Sequence, residues 1–233
     1  MRLNKYLSDV GYCSRREADR LIEAGRVSIN GEPAALGTKV DETDEVRVDG
    51  KAVAVQSDKV YIAFHKPRGI ECTTNLDVKD NIIDYIGYPE RIYPVGRLDK
   101  SSEGLILLTN DGALSNLILK ARHFHEKEYV VKVDKPISDA FLKGMREGVP
   151  LLELETVTRP CTVTTVNPYT FKIILTQGLN RQIRRMCEAF GYEVKRLQRI
   201  RVLNIELGDL PRGKWRHLTP SECEKLKRLT GKA

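Results

Sequence analysis

The chain has 233 residues and a formal net charge of +7, from 39 Lys and Arg against 32 Asp and Glu, with 41% hydrophobic residues. That length gives one or two domains and a core large enough to fold without disulfide or metal staples; no run nears the roughly 18 apolar residues of a membrane span, and Met1-Arg-Leu-Asn-Lys-Tyr6 leads into a polar amphipathic run rather than an apolar signal core. The protein is therefore expected in the cytosol, away from membranes, with a basic surplus that admits nucleic acid as a partner without requiring it, since Lys and Arg also serve solubility.

Residues 1–50 read as one unit. Asn4 to Val10 forms a short helix stopped by Gly11, and Ser14-Arg-Arg-Glu17 is a capping box that opens a second helix over Arg15 to Ala24, with Gly25 in the C-terminal cap position. On that helix Ala18, Leu21 and Ile22 share a buried stripe at i, i+3, i+4 spacing, which leaves Arg15, Arg16 and Arg20 towards solvent. Val27-Ser-Ile29 alternates, Asn30-Gly31 is a hairpin turn, and Glu45-Val-Arg-Val-Asp-Gly50 supplies another strand and turn. On charge alone the basic helix face is a solvated surface balanced by Asp19 and Glu23. Residues 51–58 are small and polar enough for a linker.

From Lys59 a larger domain, 59–233, begins. Val60, Ile62 and Phe64 alternate with Tyr61, Ala63 and His65 in a half-buried strand ended by Lys66-Pro-Arg-Gly69. Further strands are expected at Leu105 to Thr109, Tyr129 to Val133, Cys161 to Val166, Phe171 to Thr176, Lys195 to Val202 and Ile205 to Leu207. Helices are expected at Ala113 to Lys120, Asp139 to Glu147, Arg181 to Phe190 and Pro220 to Leu229, the last opened by Thr219-Pro-Ser-Glu222. Strands and helices do not alternate one for one, which disfavours a doubly wound parallel sheet. The fold class is α+β, with a mixed, largely antiparallel sheet flanked by helices.

Five scattered cysteines without a Cys-x-x-Cys pair read as reduced packing thiols, and His123-Phe-His125 lacks the third and fourth ligands of a zinc site, so no metal is expected. Three segments carry candidate chemistry. In Gly96-Arg-Leu-Asp-Lys-Ser-Ser-Glu-Gly104 a polar loop runs into an apolar strand, with neither a phosphate-loop ending nor a dinucleotide turn. An aspartate in such a loop, Asp99, is by residue type a turn former. In Gln177-Gly-Leu-Asn-Arg-Gln-Ile-Arg-Arg-Met-Cys-Glu188, Asn180 is the natural N-cap, while Arg181, Arg184 and Arg185 lie off the buried stripe in the first two turns. The helix dipole disfavours cations there, which points to an anion beside them, either a ligand or a neighbouring carboxylate. Tyr129, in Glu126-Lys-Glu-Tyr-Val-Val-Lys-Val133, is by residue type a core aromatic on a strand.

Arg2-Leu-Asn-Lys-Tyr-Leu7, Ser14-Arg-Arg-Glu-Ala18 and Gly25-Arg-Val-Ser-Ile-Asn-Gly31 resemble the S4 RNA-binding domain. Gly96-Arg-Leu-Asp99 with Ser102 and Glu103-Gly-Leu-Ile-Leu-Leu-Thr-Asn-Asp-Gly112, Lys127-Glu-Tyr129, and Gly178-Leu-Asn-Arg-Gln-Ile-Arg-Arg185 resemble the three motifs of the RsuA/RluB/E/F family of pseudouridine synthases. Within it the chain most resembles the RluF type, through Glu126-Lys-Glu-Tyr129, Val133-Asp-Lys-Pro-Ile137 and Cys187 to Lys195. It is expected to lack the longer C-terminal tail of some members.

The resemblance implies isomerisation of a uridine in RNA, with Asp99 as catalytic nucleophile, Arg184 paired with it and Tyr129 stacking on the uracil and taking the C5 proton. The cation would lower the carboxylate pKa and offset its desolvation. Arg97, Leu98, Lys100, Asn180, Arg181, Gln182 and Arg185 would line the RNA site, and Arg2, Lys5, Arg15, Arg16 and Arg20 would meet RNA from the S4-like domain, through backbone shape and phosphates. No cofactor is implied. The expected partner is RNA, large-subunit ribosomal RNA first with transfer RNA left open, bound by a monomer. A non-catalytic RNA-binding factor is the rival reading; a nucleosidase would want a second carboxylate, and none pairs convincingly with Asp99. Between Gly178 and Arg201 seven basic residues stand against two acidic ones, which reads as a phosphate track towards Asp99 with steeply salt-dependent binding.

Overall fold

The structure, a computed structural model, describes residues 1–53, 58–120 and 124–231. It divides into two compact units: Met1–Val60 with Tyr88–Ile92 and Asn110–Gly112, and Tyr61–Gly87, Tyr93–Thr109 and the chain from Ala113 onward. Among the described residues no helix is long and apolar enough to cross a membrane.

In the first unit α1 (Leu3–Asp9) and α2 (Arg15–Glu23) accompany a sheet of β1 (Val27–Ile29), β2 (Glu32–Pro33), β3 (Val46–Val48) and β4 (Lys51–Ala52), in the order β2-β1-β3-β4. Leu3 and Leu7 from α1, the expected Ala18, Leu21 and Ile22 stripe of α2, and Val27, Val46 and Val48 from the strands close one core. Ser14 Oγ accepts from Glu17 N at 3.1 Å as the cap requires. Instead of completing the box, the Glu17 carboxylate accepts from Arg20 Nη1 at 3.3 Å, one turn along. The Asn30-Gly31 turn has φ of 52° and 90°, the double left-handed geometry of a type I′ hairpin. Asp49-Gly50 repeats it, at 51° and 76°, and so turns the chain back into β4. The expected linker thus loses Lys51 and Ala52 to a strand, while residues 54–57 lie outside the described residues.

The second unit follows the chain through β5 (Tyr61–Lys66), α3 (Ile82–Ile86), β6 (Tyr93–Val95), β7 (Glu103–Thr109), α4 (Gly112–Leu119), β8 (Lys127–Val133), α5 (Asp139–Glu147), β9 (Pro150–Leu151), a 3-10 turn (Leu152–Leu154), β10 (Thr156–Val157), β11 (Thr162–Asn167), β12 (Thr170–Leu175), α6 (Gln182–Ala189), β13 (Val194–Val202), β14 (Ile205–Glu206), β15 (Trp215–His217) and α7 (Pro220–Thr230). One mixed sheet runs β11-β12-β8-β13-β7-β5-β15, with β14 on β13 and β6 on β7. β13 and β7 are parallel and the other pairs are antiparallel. α3, β6, β9, β10 and β15 were not expected: elements of two to five residues are too short to show a period and form through pairing.

β5 departs from the half-buried expectation. Ile62, Ala63, Phe64 and His65 are all buried, because the sheet is covered on both faces. Ala63 packs into a core with Leu114 and Ile118 of α4 and Leu226 of α7, while Phe64 lies 5.7 Å, ring to ring, from Tyr85 of α3. α7 keeps its full capping box, Thr219 with Glu222. At the parallel junction Gly104, with φ of 112°, lies against Arg199: a Cβ there would sit 2.2 Å from the Arg199 carbonyl oxygen. Only glycine lets β7 and β13 approach this closely, and the loop that precedes β7 carries Asp99.

Candidate active site

That loop is pinned from several sides. Leu98, 7% exposed, donates its amide to Cys72 Sγ at 3.4 Å. Ser102 N donates to the Asp99 carbonyl at 2.9 Å, and Gly69 N to the Lys100 carbonyl at 2.8 Å. The turn carrying Gly69 is itself held by Lys66, a fully buried lysine whose Nζ donates to the carbonyls of Pro67 at 2.9 Å and Ile70 at 2.7 Å. Burial pushes the Lys66 ammonium below its ordinary pKa, and Cys72, Asp99 and Glu103 counter part of that shift. Asp99 is thereby a positioned side chain on a loop with little freedom.

Opposite the loop stands α6. Arg184 faces Asp99 with Nε 4.0 Å from Oδ2. Nε is buried and has no hydrogen-bond acceptor among the described residues, so the pair is held by charge rather than by a hydrogen bond. The rest of the guanidinium clamps the surrounding backbone: Nη1 donates to the Val194 carbonyl at 3.3 Å, and Nη2 to the Ser101 carbonyl at 3.5 Å and to Ser102 Oγ at 3.3 Å. Burial and the neighbouring Arg181 push the Arg184 pKa down while Asp99 pushes it up. The helix starts later than its sequence suggests. Arg181, not Asn180, is the N-cap, in left-handed geometry with φ of 50°. Asn180 Oδ1 instead accepts from Arg185 at 3.4 Å, and Gln182 Oε1 satisfies the Leu179 amide at 3.1 Å.

Asp99 opens into a cleft of about 470 Å³ in the second unit. Tyr129, 9% exposed, forms part of its wall from β8, next to β13 and opposite Arg199 in register. Arg97, Leu98, Asn180, Arg181 and Gln182 also line the cleft. Two of the expected lining residues do not. Lys100, in the turn closed by the Ser102 N to Asp99 carbonyl bond, reaches Asp80 instead, with Nζ 3.0 Å from Oδ2. Arg185 forms an ion pair with Glu153 and donates from Nε to the Asn180 carbonyl at 3.1 Å.

Sequence reasoning missed Lys127, His125 and Arg199 as lining residues. For Lys127 a signal was present, since residues two apart on a strand share a face and Lys127 precedes Tyr129 by two. His123 lies outside the described residues. Among the described residues no three His, Cys, Asp or Glu side chains gather as a metal site.

The expected phosphate track is corrected. Carboxylates remote in sequence neutralise much of it: Arg196 meets Glu103 at 2.5 Å, and Arg201 meets Glu126 and Glu128, each at 2.9 Å. Lys195 pairs with Glu193 at 2.7 Å. In the first unit Arg2, Arg15, Arg16 and Arg20 are exposed; Lys5 pairs with Asp9 at 3.6 Å and Arg20 with Glu17 at 3.3 Å.

Comparison with known proteins adds independent findings. The family described as RNA pseudouridylate synthase matches residues 60–189, and the S4 domain matches residues 1–46. A Salmonella typhi protein named dual-specificity RNA pseudouridine synthase RluF is 54% identical over 230 residues, covering 98% of this chain and 79% of that protein. Ribosomal large subunit pseudouridine synthase B of Bacillus subtilis (strain 168) is 34% identical over 235 residues, covering 98% and 96%. A solved structure described as the crystal structure of pseudouridylate synthase matches with a TM-score of 0.73 at 28% identity, over 97% of this chain and 99% of that one.

Proposed function

Because the chain belongs to the RNA pseudouridylate synthase family and carries an S4 domain, we propose that it converts a specific uridine of large-subunit ribosomal RNA to pseudouridine with Asp99 as the catalytic nucleophile. The observation that carries the residue assignment is that Asp99 and Tyr129 line one cleft while Arg184, behind the Asp99 loop, holds its guanidinium 4.0 Å from the Asp99 carboxylate. The names of the Bacillus and Salmonella relatives support the ribosomal target and a second RNA class, for which transfer RNA is the candidate. The protein acts on cytoplasmic RNA as a monomer.

The reaction breaks the C1′–N1 bond of one nucleotide, turns the uracil, and joins C1′ to C5. The C5 proton leaves and N1 ends protonated, so atoms balance without any group being imported and the stoichiometry calls for no cofactor. An ionised carboxylate is needed whether it attacks the base or C1′. Arg184 supplies the opposing charge and brackets the Asp99 loop against β13. Tyr129 offers a platform for an extruded base, whose stacking is worth about 1–3 kcal/mol in comparable sites, against an extrusion cost of a few kcal/mol. The cationic rim, Arg97 and Arg181, meets the flanking phosphates.

The test is tritium release from ribosomal RNA labelled at uridine C5, followed by mapping of pseudouridines in RNA from cells with and without the protein. Wild type is expected to release tritium and Asp99→Asn to release none. A fully active Asp99→Asn enzyme overturns the nucleophile assignment, and the absence of any protein-dependent pseudouridine from large-subunit RNA overturns the target.

A further inference from the structure

The side chains lining the cleft are electrostatically lopsided. They include one carboxylate, Asp99, already facing Arg184, against Arg97, Lys120, Lys127, Arg181 and Arg199. Arg97, Lys120 and Arg181 are exposed, where backbone phosphates pass. Lys127 and Arg199 are withdrawn from solvent, Arg199 to 3% exposure, where a base enters and a phosphate does not.

Both sit beside Tyr129. Lys127 shares its strand face at two residues' distance, about 6.7 Å along the chain, and Arg199 is its cross-strand partner on β13. Arg199 spends Nε on the Leu105 carbonyl at 2.7 Å, yet its Nη2 is buried with no hydrogen-bond acceptor among the described residues. Native proteins rarely leave such a donor idle. Lys127 has no carboxylate partner among the described residues, unlike Arg185, Arg196 and Arg201. Two cations are therefore held near one another at the inner wall with donor capacity unspent inside the chain.

We propose that Lys127 and Arg199 form a cationic wall that takes up the negative charge developing on the uracil carbonyl oxygens as the C1′–N1 bond breaks. The electron pair of that bond passes to the base and spreads over N1, O2 and O4; it returns to C1′ through C5 when the new bond forms and the C5 proton is lost. Preorganised cations aimed at charge that exists only during reaction stabilise the transition state more than the bound substrate. The inference rests on the seating of uracil against Tyr129 proposed above. Burial and Arg199 push the Lys127 ammonium down to about 8, so it is mostly charged at neutral pH and is lost as pH rises. The titratable and charged groups facing it are Arg199 from β13, Tyr129 from its own strand, His125 just before that strand, Asp99 and Arg97 from the loop before β7, Lys120 after α4 and Arg181 at the start of α6.

The test is the single-turnover rate of pseudouridine formation at saturating enzyme, measured from neutral to alkaline pH for wild type, Lys127→Met and Lys127→Arg, with RNA affinity measured separately. Wild type is expected to slow as pH rises through about 8. Lys127→Met should lose about 10²- to 10³-fold in rate with RNA affinity within about twofold. Lys127→Arg, which stays charged, should keep most of the rate and lose the alkaline fall. The proposal is overturned if Lys127→Met weakens RNA binding without slowing the saturated reaction, which would mark a phosphate contact, or if it changes neither. Should Lys127→Met fail to fold, the pH profile of Lys127→Arg decides alone: an unchanged alkaline fall overturns the proposal. Asp99→Asn in the same assay separates the two claims, since full activity there removes the Asp99 assignment whatever the Lys127 profile.

Discussion

Replacing Gly104 with alanine places a methyl group where β7 and β13 touch. On the observed backbone its Cβ lies 2.2 Å from the Arg199 carbonyl oxygen, 2.6 Å from its nitrogen and 3.0 Å from its carbonyl carbon. All three are main-chain atoms of a strand bonded on both sides, so none can rotate away, and the strands must part by about 1 Å to reach contact distance. Overpacking of this kind costs about 1–3 kcal/mol. Holding a residue with a side chain at φ of 112° adds about 1–3 kcal/mol. A total of about 2–6 kcal/mol falls within the roughly 5–15 kcal/mol stability of a domain, so the variant should fold but melt early. The same shift reaches Arg199 directly and Asp99 through the five-residue stretch before Gly104. A displacement of about 1 Å at reacting groups costs about 10²-fold in rate. Urea unfolding and single-turnover isomerisation read the two effects separately. A variant within about 1 kcal/mol of wild-type stability refutes the packing argument, and lost stability with an unchanged rate refutes the link from strand junction to site.

Arg184→Lys keeps a charge near Asp99 but loses the fork that reaches the Val194 and Ser101 carbonyls and Ser102 Oγ. Because those bonds are long, unfolding experiments should show a loss of only about 1–2 kcal/mol, while the isomerisation rate drops by about 10²-fold; an unslowed variant would mean that the bracket does not position Asp99. Arg16→Ala removes an exposed cation from α2. RNA affinity measured against salt concentration should then lose about one unit of logarithmic slope, with the saturated rate unchanged, and an unaltered slope would take that helix face out of the RNA contact.

The salt bridges show why the arginine-rich segment misled. Seven basic residues between Gly178 and Arg201 looked like a continuous anion track, but Glu103, Glu126, Glu128 and Glu153 arrive from other elements to pair with Arg196, Arg201 and Arg185. Charge counted along a window cannot register carboxylates that folding delivers across it. β4 was missed for the opposite reason. Asp49-Gly50 is as strong a hairpin signal as Asn30-Gly31, and a type I′ turn sends the chain back into a strand, so Lys51 and Ala52 were legible as one.

Local chemistry determined what the sequence could determine: the capped helices α2, α5 and α7, the longer strands, the division into a small N-terminal unit and a larger α+β unit, and the three motifs that hold Asp99, Tyr129 and Arg184. Those features depend on residues within a few positions of one another, where hydrogen-bond reach and apolar period are set by backbone geometry. Tertiary structure alone decided which way side chains face across the cleft. It turned Lys100 to Asp80 and Arg185 to Glu153, brought Arg184 to 4.0 Å from a carboxylate 85 positions away, and enclosed Lys127 and Arg199 beside Tyr129. Electrostatic energy depends on distance through space and on exclusion of water, and neither exists until β7, β8 and β13 lie side by side.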